Sequence, residues 1–107
     1  MTGTRDRISI HDDLVRAINE KRVIQFVYKT PGRRLAEPHD YGVKKGVDKL
    51  LVFQVGGASR SRAPHGWKDL DVEDIRDFEV LERHFPGSRA DAHQHHGVWD
   101  VLFARVK

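Results

Sequence analysis

The sequence predicts a mainly β domain, a small curled sheet or barrel with one N-terminal α-helix. Three observations carry this. Only one stretch, "SIHDDLVRAINEKR", has helical periodicity. After it come short runs with period two, rich in β-branched and aromatic residues. Glycine and proline then punctuate those runs at close intervals. With 107 residues the chain fits a single small domain.

In the helix, Ile10, Leu14, Ala17 and Ile18 share one stripe. Ser9 and Asp12 match a capping box, and Lys21 and Arg22 close the segment where the helix dipole favours cations. "VIQFVYKT" then switches to alternation, with Ile24, Phe26 and Tyr28 on one face. Pro31–Gly32 reads as a turn, leading into a second strand through "RRLAE". Pro38 cannot donate to a ladder, so that strand is expected to bend, break or lie at an edge there. "YGVKKGVDKLLVFQVGG" reads as two strands around Gly46. The second, Lys49–Val55, is apolar on both faces and is expected to be covered on both, as under a helix.

Gly56–Gly66 is a loop by composition, and Trp67–Val72 a short strand. "VEDI" reads as a tight turn and "RDFEVLER" as a further strand. "PGSRADAHQHHG" reads as a mobile polar excursion, and "VWDVLFARV" as a last strand. The expected organisation is a flexible N-terminus over 1–8, the helix plus barrel over 9–85, and a polar loop with a C-terminal strand over 86–107.

Composition narrows the function classes. The absence of cysteine excludes disulfides, thiol catalysis and zinc ribbons, and suits a reducing cytoplasm. No apolar run approaches a membrane span, and the charged first residues do not read as a signal peptide. Net charge is only +3, but it is unevenly distributed. Lys21–Lys49 holds eight basic residues against three acidic, whereas Asp69–Arg83 holds seven acidic against two basic. Either the two segments complement each other as solvated faces, or the basic one receives an anionic partner.

"LVRAINEKRVIQFVY", then "RRLAEP", an apolar strand after glycine, and "DLDVEDIRDFEVLERHF" resemble the WYL domain over roughly Leu14 to Phe85. The resemblance rests on the order and spacing of these motifs. It implies an Sm-like or SH3-like barrel of about five strands with an N-terminal helix. It also implies a non-enzymatic ligand-sensing role, of the kind found behind DNA-binding domains in bacterial transcription regulators. This chain is similar to the short, stand-alone members. Tyr28 matches the tyrosine that ends the family's first strand, and Arg34, Glu37 and Pro38 match its Arg-x-x-Glu-Pro step. Lys49, Leu50 and Leu51 stand at the Trp-Tyr-Leu triplet, so only the leucine is kept. Ile75 matches the isoleucine after the family's arginine-rich strand, but Asp71 and Asp74 stand where that strand has arginines.

The candidate ligand-binding residues are Tyr28, Arg34, Arg60, Arg62, Trp67 and Lys68. Arginine forks suit phosphate, tryptophan stacks on bases, and Gly56 and Gly57 can present amides to an anion. The alternatives are a wet "SRSR" loop, a packed Trp67 with its indole hydrogen-bonded, and a Tyr28–Arg34 cross-strand packing pair. His93, His95 and His96, with Asp91, form the histidine cluster, but their spacing matches no structural zinc motif. No metal, cofactor or catalytic residue is assigned. Ser59 and Ser61 lack a nucleophile context, and Asp71, Glu73 and Asp74 read as a solvated strand and turn.

Two functions follow. In the first, Arg33, Arg34, Lys44, Lys45, Arg60 and Arg62 capture an anionic ligand such as single-stranded nucleic acid or a nucleotide, with Tyr28 or Trp67 stacking. In the second, the domain is a protein-interaction or oligomerisation module, an accessory subunit of a bacterial regulator or phage-defence system. Ligand binding predicts that the arginines converge beside Tyr28. The interaction reading predicts an exposed apolar patch or open sheet edge.

Overall fold

The computed structural model describes residues 3–57 and 65–107, with the helix side chains described from Ile10 onward. Arg60 and Arg62, and with them Ser59 and Ser61, lie outside the described residues. The helix α1 (Gly3–Glu20) starts ahead of Ser9, so the stretch expected to be flexible is helical from Gly3. Past Gly3 no helix breaker stands in its way, and extending a helix is easier than nucleating one. Leu14, Ala17 and Ile18 are fully buried, as their stripe predicts. Lys21 lies just past the last turn rather than in it. It takes the left-handed conformation (φ 57°) and returns its amide to the Ile18 carbonyl at 3.3 Å.

Strand β1 (Arg22–Tyr28) buries Ile24, Phe26 and Tyr28 on the expected face. The turn into β2 (Thr30–Lys44) is centred on Lys29 (φ 63°), not on Pro31–Gly32. Tyr28 pairs with Thr30 and Val27 with Arg33, which leaves Pro31 and Gly32 as a bulge. At Pro38 the strand bends without breaking. Pro38 pairs with Val52 and Asp40 with Leu51 of β3 (Val47–Gly57), so His39 is the extra residue of a second bulge. Lys45 and Gly46, both with positive φ (50° and 78°), turn β2 into β3, the geometry that suits the twist of a two-residue hairpin.

Strand β4 (Gly66–Asp71) pairs with β3, and a 3-10 turn (Val72–Asp74) leads into β5 (Ile75–His84), which pairs with β1. All six strands form one antiparallel sheet, in the order β4-β3-β2-β1-β5, with β6 (Val101–Arg105) on the far half of β2. A flat sheet would hold β4 and β5 about 19 Å apart across four strand intervals. The link from Asp71 to Ile75 reaches at most about 14 Å. The sheet must therefore curl. The mainly β fold with one N-terminal helix is thus the one the sequence predicts.

The core lies between α1 and the concave face: Leu14, Ile18, Ile24, Phe26, Leu50 and Val52 are its fully buried centre. The second face of β3 is also covered, but not by a helix. The Arg89 guanidinium lies 3.6 Å over the Phe53 ring, and His95 stacks on Trp67. The polar stretch after Phe85 is therefore a cover laid on the sheet, with Ala92 buried beneath it.

Candidate functional site

Tyr28 and Arg34 do meet, but inside the fold. Arg34 is 3% exposed and Tyr28 8%. Arg34 Nη2 donates to the Tyr28 carbonyl at 3.0 Å and to Thr30 Oγ1 at 3.4 Å, with its guanidinium 5.4 Å from the Tyr28 ring centre. The Tyr28 hydroxyl accepts the Asp71 amide at 3.0 Å. The pair thus ties β1 to the turn and to the end of β4. Gly57, the last described residue before the stretch holding Arg60 and Arg62, pairs with Arg34.

The basic and acidic segments answer each other. Lys49 Nζ sits 2.6 Å from Asp71 and 3.8 Å from Asp69; Lys44 Nζ sits 3.5 Å from Asp69 and lies over the Trp99 ring. The hydrogen bond between Lys49 and Asp71 raises the lysine's pKa and lowers the carboxylate's. Lys29 pairs with Asp74 at 3.8 Å. Asp71 therefore neutralises a lysine of the neighbouring β3 strand, and Asp74 the lysine of the β1–β2 turn.

Trp67 is a half-buried packing residue. Its indole N–H donates to Asp91 at 3.1 Å, which lowers that carboxyl's pKa. His95 covers one face of the ring (4.7 Å, 19°), and Phe53 and His39 meet it edge-on. Lys68, also half-buried, pairs in register with Val52. Trp67 and Lys68 stand at the opposite end of β4 from Asp71, the end that touches Tyr28.

A dense polar cluster surrounds the bulge at His39. Glu37, His39 and Asp40 are all buried. Arg89 donates twice to Glu37 (Nε 2.8 Å, Nη2 3.3 Å), and its amide donates to His39 Nε2 at 3.2 Å. His39 Nδ1 lies 2.9 Å from the Glu37 carbonyl. Asp40 accepts from Arg105 (2.9 and 3.1 Å) and meets His96 Nδ1 at 2.5 Å. Burial lowers the pKa of His39, against the Glu37 carbonyl and the two carboxylates, which raise it. His95 and His96 thus go to separate partners, and no group of three or more metal-ligating side chains occurs among the described residues.

Two surface features remain. A shallow hollow of about 350 Å³ opens beside the β1–β2 turn, lined by Val27, Lys29, Thr30, Pro31, Asp74 and Arg76. On the far side, β6 pairs only with β2 among the described residues. Val101, Leu102 and Phe103 there are 47%, 40% and 41% exposed, and Val98 just before them is 88% exposed. These residues make β6 an apolar strand partly open to solvent, with Phe103 the extra residue of a bulge between the Gly42–Leu102 and Tyr41–Ala104 pairs. Tyr41 and His11 edge the patch: their rings lie 5.0 Å from Phe103, and His11 Nδ1 meets the Tyr41 hydroxyl at 2.7 Å. Burial, with Asp48 and Asp12 nearby, pushes the Tyr41 pKa up to about 12.

Sequence reasoning missed the Glu37–His39–Asp40 cluster, because its partners lie some 50 to 65 residues away. The one available signal was three ionisable residues around a proline inside a strand. No family model, no curated protein and no solved structure matches this chain.

Proposed function

We propose that the domain is a protein-interaction module that accepts an added strand on β6, and that a second copy of the chain is the first such strand. The observation that carries this is the open edge itself. "VLFAR" is β-prone, has no proline and a single charge, and three successive apolar residues stand in solvent. Monomeric proteins usually blunt such edges with lysine, proline, a bulge or a cover; β6 has a bulge at Phe103 but neither lysine nor proline along its edge. Antiparallel pairing of two β6 strands is self-complementary, as a two-fold dimer requires. Two of the basic residues support this reading too, since Arg34 is enclosed and Lys44 is matched by Asp69.

Sedimentation equilibrium over a wide concentration range tests it. The wild type is expected to dimerise reversibly, and Leu102→Lys, a change at an exposed position, to be monomeric with unchanged thermal stability. A wild type that stays monomeric throughout, with β6 amides exchanging freely at every concentration, refutes it.

The hollow favours a second reading, capture of an anionic ligand such as a nucleotide or single-stranded nucleic acid. Lys29, at the β1–β2 turn, and Arg76, on β5, line it beside Asp74, the partner of Lys29, close to Thr30 and the Arg34–Tyr28 pair. Titration of short single-stranded DNA, followed by anisotropy at two salt concentrations, tests this. Saturable binding that weakens with salt and is lost in Lys29→Ala/Arg76→Ala supports it. No binding at low salt removes it.

A further inference from the structure

We propose that His39 is an acid-released latch, holding the segment between Phe85 and β6 against the sheet when neutral and letting it open when protonated. The hydrogen-bond directions fix the closed state. The Arg89 amide can only donate, so Nε2, 3.2 Å away, must carry the lone pair. Nδ1 then carries the proton and donates to the Glu37 carbonyl at 2.9 Å. This one neutral tautomer satisfies both bonds. An imidazolium would set its Nε2–H against the Arg89 N–H inside a site with no exposed surface.

The groups facing the ring are few. From β2 come Glu37, already engaged by Arg89, and Asp40, already engaged by Arg105 and His96. From the cover come the Arg89 guanidinium and the Phe85 ring, stacked at 5.9 Å. From β4 comes the edge of Trp67, with His95 beyond it. Both carboxylates favour the proton, but each has an arginine beside it, and burial outweighs them. In the open state the imidazole returns to its ordinary value near 6.5. The open state therefore binds the extra proton first, and closure weakens as pH falls below about 6.5, until the closed form protonates too. His95, near Asp91, and His96, beside Asp40, are the other imidazoles of the cover close to carboxylates. Opening would free the Arg89–Glu37 pair and uncover Phe53 and the stacked face of Trp67.

Amide hydrogen exchange from pH 7.5 to 5, corrected for intrinsic rates, tests the latch. Protection at Ser88, Ala92, Gln94 and His95 is expected to fall up to tenfold per pH unit below about 6.5, while the β1–β3 amides stay protected. In His39→Gln, whose side-chain oxygen can still accept from the Arg89 amide, the pH dependence is expected to vanish. Long-range ¹H–¹⁵N correlation on the wild type gives an independent reading, with the proton on Nδ1 at neutral pH. A proton on Nε2, pH-independent protection of the segment, or an unchanged pH profile in His39→Gln each overturns the proposal.

Discussion

Replacing Asp40 by asparagine removes a charge from the point where β2, β6 and the cover meet. The side chain has no exposed surface and accepts three hydrogen bonds, two from Arg105 and one at His96. Asparagine keeps one oxygen for Arg105 Nε. Its amide nitrogen then takes the place of the oxygen that served Arg105 Nη2 and His96. Arg105 is 39% exposed, so water can replace part of what it loses. What remains is one charge-assisted bond, worth about 1.5–3 kcal/mol, and a buried N–H without an acceptor, costing about 1–3 kcal/mol. Asp40→Asn is therefore expected to destabilise the domain by ~3 kcal/mol, lowering Tm by about 10–20 °C for a domain of this size. Urea unfolding of Asp40→Asn, Arg105→Gln and the double variant supplies the cycle. Strong coupling between the two sites is expected. A single variant within about 0.5 kcal/mol of wild type, or no coupling, would refute the view that this buried carboxylate anchors β6.

Arg34→Ala is expected to cost about 2–4 kcal/mol in urea melts, since it strips the donor from a buried carbonyl; full stability with loss of DNA binding would mark Arg34 as a ligand residue instead. Gly42→Ala would drive a methyl group into the Val101 carbonyl and the Trp99 ring. It is expected to cost about 1–3 kcal/mol and to expose the β6 amides to exchange ahead of the core. Lys21→Gly relieves a left-handed residue after α1 and should add about 0.5–1 kcal/mol to the urea-derived stability. In Lys49→Met, the Asp71 pKa is expected to rise towards the ordinary carboxylate value, as read by carboxyl NMR. The wild-type pair contributes stability above that value and loses it as pH falls through the lowered one, so the variant should lose less stability in acid.

The sequence alone determined the elements whose rule is local. The stripe of Leu14, Ala17 and Ile18, the alternation of Ile24, Phe26 and Tyr28, and the turn at Lys45–Gly46 are each set by neighbours within a few positions. Helix and strand periods are properties of the backbone, so they survive whatever packs against them. Pro31–Gly32 shows where local signals end. The pair carries the chemistry of a turn, yet the register of β1 on β2 makes it a bulge. The site was less legible. The juxtaposition of Tyr28 and Arg34 was expected from pairing across the hairpin, but not their burial, which depends on how the sheet curls. The tertiary structure alone decided that a stretch as polar as "PGSRADAHQHHG" lies on the sheet. Its ionised and imidazole groups find partners on β2 and β4, and a buried polar group is tolerated once it is paired. It also decided that "VLFAR" ends at an open edge. Its residues are as apolar as those of β3, and only the absence of a neighbour beyond β6 among the described residues leaves them in water.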